Sequence, residues 1–165
     1  MIFVSVGTHE APFDRMLRAV DELGVQERIV IQHGPSDVRV RNAEHFEYLP
    51  FDEVVDLIRE ARAVVMHAGV GSVMISLTNG KRPIVMAREA RLGEHVDDHQ
   101  LELARRLEAS GLVTLAVDAE SLGAALARGP EPVGALDTPW LGNELRDYLS
   151  ERLGAPPSPV ASRAA

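Results

Sequence analysis

Short apolar runs alternate along this chain with longer stretches of helical periodicity, and that alternation restricts its fold more than any other feature. The runs "IFVSV" (2–6), "RIVIQ" (28–32), "AVVMH" (63–67), "RPIVMA" (82–87) and "LVTLA" (112–116) read as strands, and "HFEYL" (45–49) as another. Between them lie "FDRMLRAVDEL" (13–23), with Phe13, Met16, Leu17 and Val20 on one helical face, then "DEVVDLIREA" (52–61) and "SVMISLTNG" (72–80), closed by Gly80. "DDHQLELARRLEAS" (97–110), stopped by Gly111, and "AESLGAALAR" (119–128) complete the set. Apolar strands alternating with amphipathic helices predict an α/β fold: a Rossmann-like parallel sheet with helices on both faces.

With 165 residues the chain can form one domain that buries roughly 70% of the surface its unfolded chain would expose. That domain is expected over residues 1–128. Residues 129–153 read as a linker, "GPEPVGALDTP", then an amphipathic helix carrying Trp140, Leu141, Leu145, Tyr148 and Leu149 that packs on the domain or on a partner. Residues 154–165 have the composition of a disordered tail. A net charge of −8 argues against nucleic acid as a partner. The absence of cysteine removes disulfides, thiolate zinc sites and cysteine nucleophiles together. The N-terminus lacks the basic start of a signal peptide, and no run approaches the roughly 20 apolar residues of a membrane span. A cytoplasmic protein that borrows a partner for any membrane work is the expectation.

Parallel sheets bind ligands at the carboxyl ends of their strands. That rule selects "GTHE" (7–10), "HGPS" (33–36), "HAGVGS" (67–72) and "AREARLGEHVDDHQ" (87–100), which hold five of the six histidines. In "HAGVGS", Gly69 and Gly71 would let the backbone approach a ligand. Ser72 would serve as N-cap or hydroxyl donor, and the helix-start amides favour an anion. A dinucleotide fingerprint needs a small residue where Met74 stands, and its usual place, the first strand–helix turn, reads "GTHEAP"; Glu89 could imitate the ribose-binding acid, but NAD is disfavoured. In "GEHVDDHQ", Asp97 or Asp98 can cap the coming helix, with His99 and Gln100 in its first turn aimed at the same crevice. Asp and Gln suit vicinal hydroxyls. His95, Asp97, Asp98 and His99 cluster, yet the spacing lacks a further ligand, so no metal is expected. Gln32, His33 and Gly34 are candidates for lining the cleft, and His67, ending a strand, for a structural hydrogen bond. Arg88 and Arg91 are read either as solvated or as meeting a uronic-acid carboxylate.

"HAGVGSVMISLTNGKRPIVM" followed by "GEHVDDHQLELARRLEASG" resembles the sugar-nucleotide-binding half of glycosyltransferase family 28, and "IFVSVGTHEAPFDRML" resembles the start of its small single-domain members. Those members include the eukaryotic subunit that makes chitobiosyl-diphosphodolichol and bacterial exopolysaccharide subunits. The resemblance covers about residues 1 to 115. It implies the C-terminal, donor-binding half of a GT-B fold, an inverting hexosyltransferase using a UDP-sugar, and no cofactor. It further implies a membrane-anchored acceptor-binding subunit as partner and a lipid-linked saccharide as acceptor. Carried over, Gly7, Thr8, Gly69, Val70, Gly71 and Ser72 would face the donor diphosphate, and "YLPF" (48–51), including Phe51, would border the uracil. Gly93, Glu94, His95, Asp98, His99 and Gln100 would serve ribose, diphosphate and sugar. Helix-start amides would take up the leaving diphosphate's charge without metal. The general base is either His9 or a group on the acceptor subunit. One departure stands out: Ile75 occupies the position where many relatives carry a glutamate that grips the ribose hydroxyls. Either "GEHVDDHQ" takes over that task or nucleotide binding is impaired, which leaves a non-catalytic binding module as the alternative.

Overall fold

The apolar runs do pair edge to edge in the computed structural model, which describes residues 1–129. In chain order the elements are β1 (Ile2–Ser5), α1 (Asp14–Glu22), β2 (Ile29–Gln32), β3 (Ala43–Phe46), α2 (Phe51–Glu60) and β4 (Ala63–His67). There follow α3 (Val70–Thr78), β5 (Ile84–Met86), a 3-10 turn (Ala90–Leu92), α4 (His99–Ala109), β6 (Thr114–Leu115) and α5 (Ala119–Arg128). The six strands form one parallel sheet in the order β3-β2-β1-β4-β5-β6. β1, β2 and β5 are buried at every position, as the unbroken apolar runs require, whereas the edge strand β3 alternates half-buried and exposed residues.

Because side chains alternate across a strand, each apolar run feeds two cores. On one face Ile2, Val4, Ile29, Ile31 and Val65 pack with Met16, Leu17 and Val20 of α1 and Leu122 and Leu126 of α5. Phe3, Val30 and Val64, one step out of phase, are equally buried, as are Ile58 of α2 and Val73 and Leu77 of α3. Each such side chain taken out of water contributes about 1.5–3 kcal/mol. The expected Rossmann-like layering is therefore present.

Two boundaries differ from the sequence reading. The strand expected at 45–49 is Ala43–Phe46, because the chain leaves the sheet where the Gln32 side chain accepts a hydrogen bond from Leu49 N at 3.2 Å and Gly34 N reaches Glu47 O at 3.0 Å. The apolar cue of Tyr48 and Leu49 thus belonged to a loop. α3 begins at Val70 with Gly69 as N-cap, so Ser72 is inside the helix and not its cap. Asp98 takes the N-cap position of α4, but its side chain makes no cap bond. The expectations for the linker, the helix around Trp140 and the tail (129–153 and 154–165) fall, beyond Gly129, outside the described residues.

The strand order reverses between β1 and β4: from β1 the chain runs outward to β2 and β3, then crosses back to β4 on the other side. The segments leaving β1 and β4 diverge there, which opens a crevice at their carboxyl ends.

Candidate nucleotide-sugar crevice

The two loops at that reversal meet on one imidazole. His67, the last residue of β4, has its ring between Gly7 and Gly69: a Cβ added to either glycine would run into the ring. Gly7 also adopts φ +80°, where a side chain would be strained. Gly69 has an ordinary φ of −76°, so its need for glycine comes from the histidine alone. His67 Nε2 lies 2.9 Å from Ser72 Oγ, which occupies the hydroxyl expected to cap the helix. Burial, reinforced by the charge of Arg88, pushes the His67 pKa down from 6.5 to about 4 against the opposing effect of a hydrogen bond that the charged ring can donate to Gln100, so the ring is neutral at pH 7. The expected structural hydrogen bond of His67 is thereby located.

Gly71 is different. A Cβ there would meet nothing within 4 Å. It lies in the first turn of α3, where the backbone N–H groups have no intrahelical acceptor and point out of the helix start. The turn therefore divides its two glycines between a packing task, at Gly69, and an open approach to the helix start, at Gly71.

Around this floor stand the other predicted residues. Thr8 is exposed and His9 half-buried beside it. His9 Nδ1 accepts from Ala11 N at 3.0 Å, so in the neutral ring the proton sits on Nε2, which is left as a hydrogen-bond donor. Burial, then the charges of Arg88 and His95, lower its pKa, so the ring favours the neutral form. The His9 and His95 rings lie 4.9 Å apart. Gln100 reaches inward, its Oε1 3.4 Å from Arg88 N. His99 turns instead to Asp97, its Nδ1 3.0 Å from Oδ2 and its N–H donating to Oδ1 at 3.0 Å. Asp98 Oδ1 accepts from Ala90 N at 2.8 Å, and Gly93 is exposed in the left-handed region at φ +71°. Glu94 is buried, and its carboxylate holds Arg15 with two bonds of 3.0 and 2.9 Å while accepting from Glu89 N.

Gln32 and His33 are buried where β2 ends, Gln32 reaching Ser5 Oγ at 3.4 Å. Gly34, at φ +53°, packs so tightly that a Cβ would lie 3.0 Å from Val6 Cγ2. These three shape the wall behind the β1 loop. Phe51, at the start of α2, is 68% exposed, and Phe46 and Tyr48, just before it in the chain, are exposed as well.

Arg88 departs from the sequence reading: it is neither solvated nor placed to meet a uronic acid, being fully buried. Its Nη1 donates to Ala11 O, Pro12 O and Glu94 O at 2.9, 3.1 and 3.2 Å, and Nη2 to Val6 O at 3.1 Å. Exposed Arg91, three residues on, pairs with Glu89 at 2.6 Å. The signal in the sequence that separates the two is that Arg88 directly follows the apolar run 83–87, which is buried throughout. A cavity of ≈ 270 Å³ opens elsewhere, at the amino ends of β4, β5 and β6 beside Arg62, Lys81 and Arg82. It is at the wrong end of a parallel sheet for the usual ligand crevice.

Residues 1–132, four-fifths of the chain, match the glycosyltransferase family 28 C-terminal domain. The chain belongs to this family. Among its curated relatives, the UDP-N-acetylglucosamine transferase subunit ALG13 of Eremothecium gossypii is 45% identical over 69 residues, 41% of this chain and 32% of that protein. The human ALG13 subunit is 32% identical over 124 residues, 67% of this chain and 10% of that protein. The chain thus matches about a third or less of these relatives' length. Two solved structures share the fold. The glycosyltransferase SnogD from Streptomyces nogalater has a TM-score of 0.54 at 20% identity, covering 77% of this chain and 33% of that one. The glycotransferase of kitacinnamycin has a TM-score of 0.60 at 19% identity, covering 77% and 34%. The fold of this chain thus matches about a third of each of these two structures.

Proposed function

We propose that this family 28 domain is the donor-binding subunit of an inverting glycosyltransferase that uses a UDP-sugar. One observation carries the reading: the open first turn of α3, at the sheet's reversal, faces the β1 loop across a neutral histidine. Amides at Val70, Gly71 and Ser72 would take the donor diphosphate, with the α3 dipole favouring its charge as the sugar leaves. Thr8 would add a hydroxyl, Gln100 and Asp98 would meet ribose or sugar hydroxyls, and residues 48–51, including Phe51, would border the uracil. The candidate base is His9 or a group on the acceptor subunit; the lone pair of the neutral His9 ring is on Nδ1, which would have to release Ala11 N to take the proton. The acceptor, a lipid-diphosphate-linked saccharide, would come with a separate membrane-anchored subunit. The names of the relatives make UDP-N-acetylglucosamine the first donor to test.

Ile75 supports a second reading, a nucleotide-sugar-binding relative without catalysis, since α3 offers no carboxylate at that position. Adding a separately expressed acceptor subunit and a lipid-diphosphate acceptor distinguishes the two. Transfer of labelled sugar from a UDP donor supports the transferase, while a stable complex that binds UDP without transfer supports the module.

A further inference from the structure

We infer that Arg88 is the positioning residue of the donor crevice, tying the β1–α1 loop to the β5–α4 loop and to Gln100 in a single frame. The inference rests on the donor-site reading above and deepens it. All four carbonyls that Arg88 holds belong to segments walling the crevice: Val6, Ala11 and Pro12 on one side, Glu94 on the other. Its own backbone N–H meets Gln100 Oε1. Its guanidinium lies 4.7 Å from the centre of the Phe13 ring, which Arg15 approaches at 5.3 Å.

A fold that needed only a filled space here would be served better by an apolar side chain, because burying a guanidinium costs several kcal/mol of desolvation. None of these Arg88 bonds runs to a carboxylate; the Glu94 carboxylate is committed to Arg15. A fixed positive charge thus stands behind the crevice of a chain whose net charge is −8, with the sign a diphosphate requires. The same charge helps hold His9 and His67 neutral. Arg62 provides a contrast: it too donates to a backbone carbonyl, Leu126 O, and pairs with Glu27, but at the amino end of β4.

Calorimetric titration of UDP into the full chain, with Arg88→Lys, Arg88→Met and Arg62→Lys compared below their unfolding temperatures, tests this. Arg88→Lys keeps the charge but loses the fork, and is expected to weaken UDP binding by about tenfold, the scale of one charge-assisted hydrogen bond. Arg88→Met should weaken it further, and Arg62→Lys should bind as wild type. By NMR, the His67 ring should keep its titration near the wild-type position in Arg88→Lys and move up in Arg88→Met, with Gln100, His9 and His95 still facing it. Should neither Arg88 variant fold, the wild-type Nε–H resonances decide: UDP should move that of Arg88 and leave that of Arg62. Wild-type affinity in both Arg88 variants, or an Arg88 resonance indifferent to bound UDP, would overturn the inference alone. A wild-type chain silent towards UDP would overturn the donor-site reading and this inference with it.

Discussion

Gly69 and Gly71 stand two residues apart and answer to different constraints. Gly69→Ala drives a methyl into the His67 ring, an overpacking expected to cost about 1–3 kcal/mol. In a His67→Ala background that cost should vanish, so denaturant melts of the four-member cycle should show strong coupling. Gly71→Ala meets open space inside a helix and should raise stability by about 0.5–1 kcal/mol. If the α3 start receives a diphosphate, the same methyl should weaken UDP, and a variant that melts higher yet binds less is the expected signature. His67 also makes stability depend on pH. Its folded pKa of about 4 lies below the ordinary 6.5, so the unfolded chain takes up a proton that the folded chain refuses. Its contribution is whole above pH 6.5 and drains as pH falls towards about 4. Urea titrations across that window should show a slope that His67→Gln reduces. None of this could be read from "HAGVGS" itself: the string shows two glycines and a histidine, but not which glycine faces the ring.

The elements were largely legible, and for a simple reason. Strands buried on both faces must be apolar throughout, and helices lying on a sheet must carry a 3.6-residue stripe, so type follows from period. Ends are set by distant partners and escape the period. β3 stops at Phe46 because Gln32 and Gly34 claim the backbone beyond it, and α3 starts early because Ser72 is drawn to His67. The β5–α4 loop was legible as chemistry-bearing but not as architecture. Glu94 and Asp98 were read as ligand-facing and Asp97 or Asp98 as a helix cap; the structure adds the partners within the loop, Asp97 with His99, Asp98 with Ala90 N and Glu94 with Arg15. Glu94→Gln should therefore loosen this loop. Amide exchange is expected to quicken over residues 89–98, by the equivalent of about 1–3 kcal/mol, while the sheet keeps its protection.

At the scale of the whole molecule, the strand order marks the end of the sheet where such folds bind their ligands, and Arg88 sets the local charge there. The reversal between β1 and β4 makes one crevice, and Arg88 places a cation behind it in an otherwise acidic chain. Among the described residues no helix is long and apolar enough to cross a membrane. The central claim is that the crevice holds the diphosphate of a UDP-sugar. Thermal melts of the full chain with UDP, UDP-glucose, UDP-GlcNAc, UDP-glucuronate, GDP and NAD test it most directly. Ligand at about ten times its dissociation constant adds roughly 1.4 kcal/mol, a rise of about 3–5 °C for a domain of this size. The account predicts that rise with the UDP compounds and not with GDP or NAD; a rise with NAD, or none with any UDP compound, would contradict it.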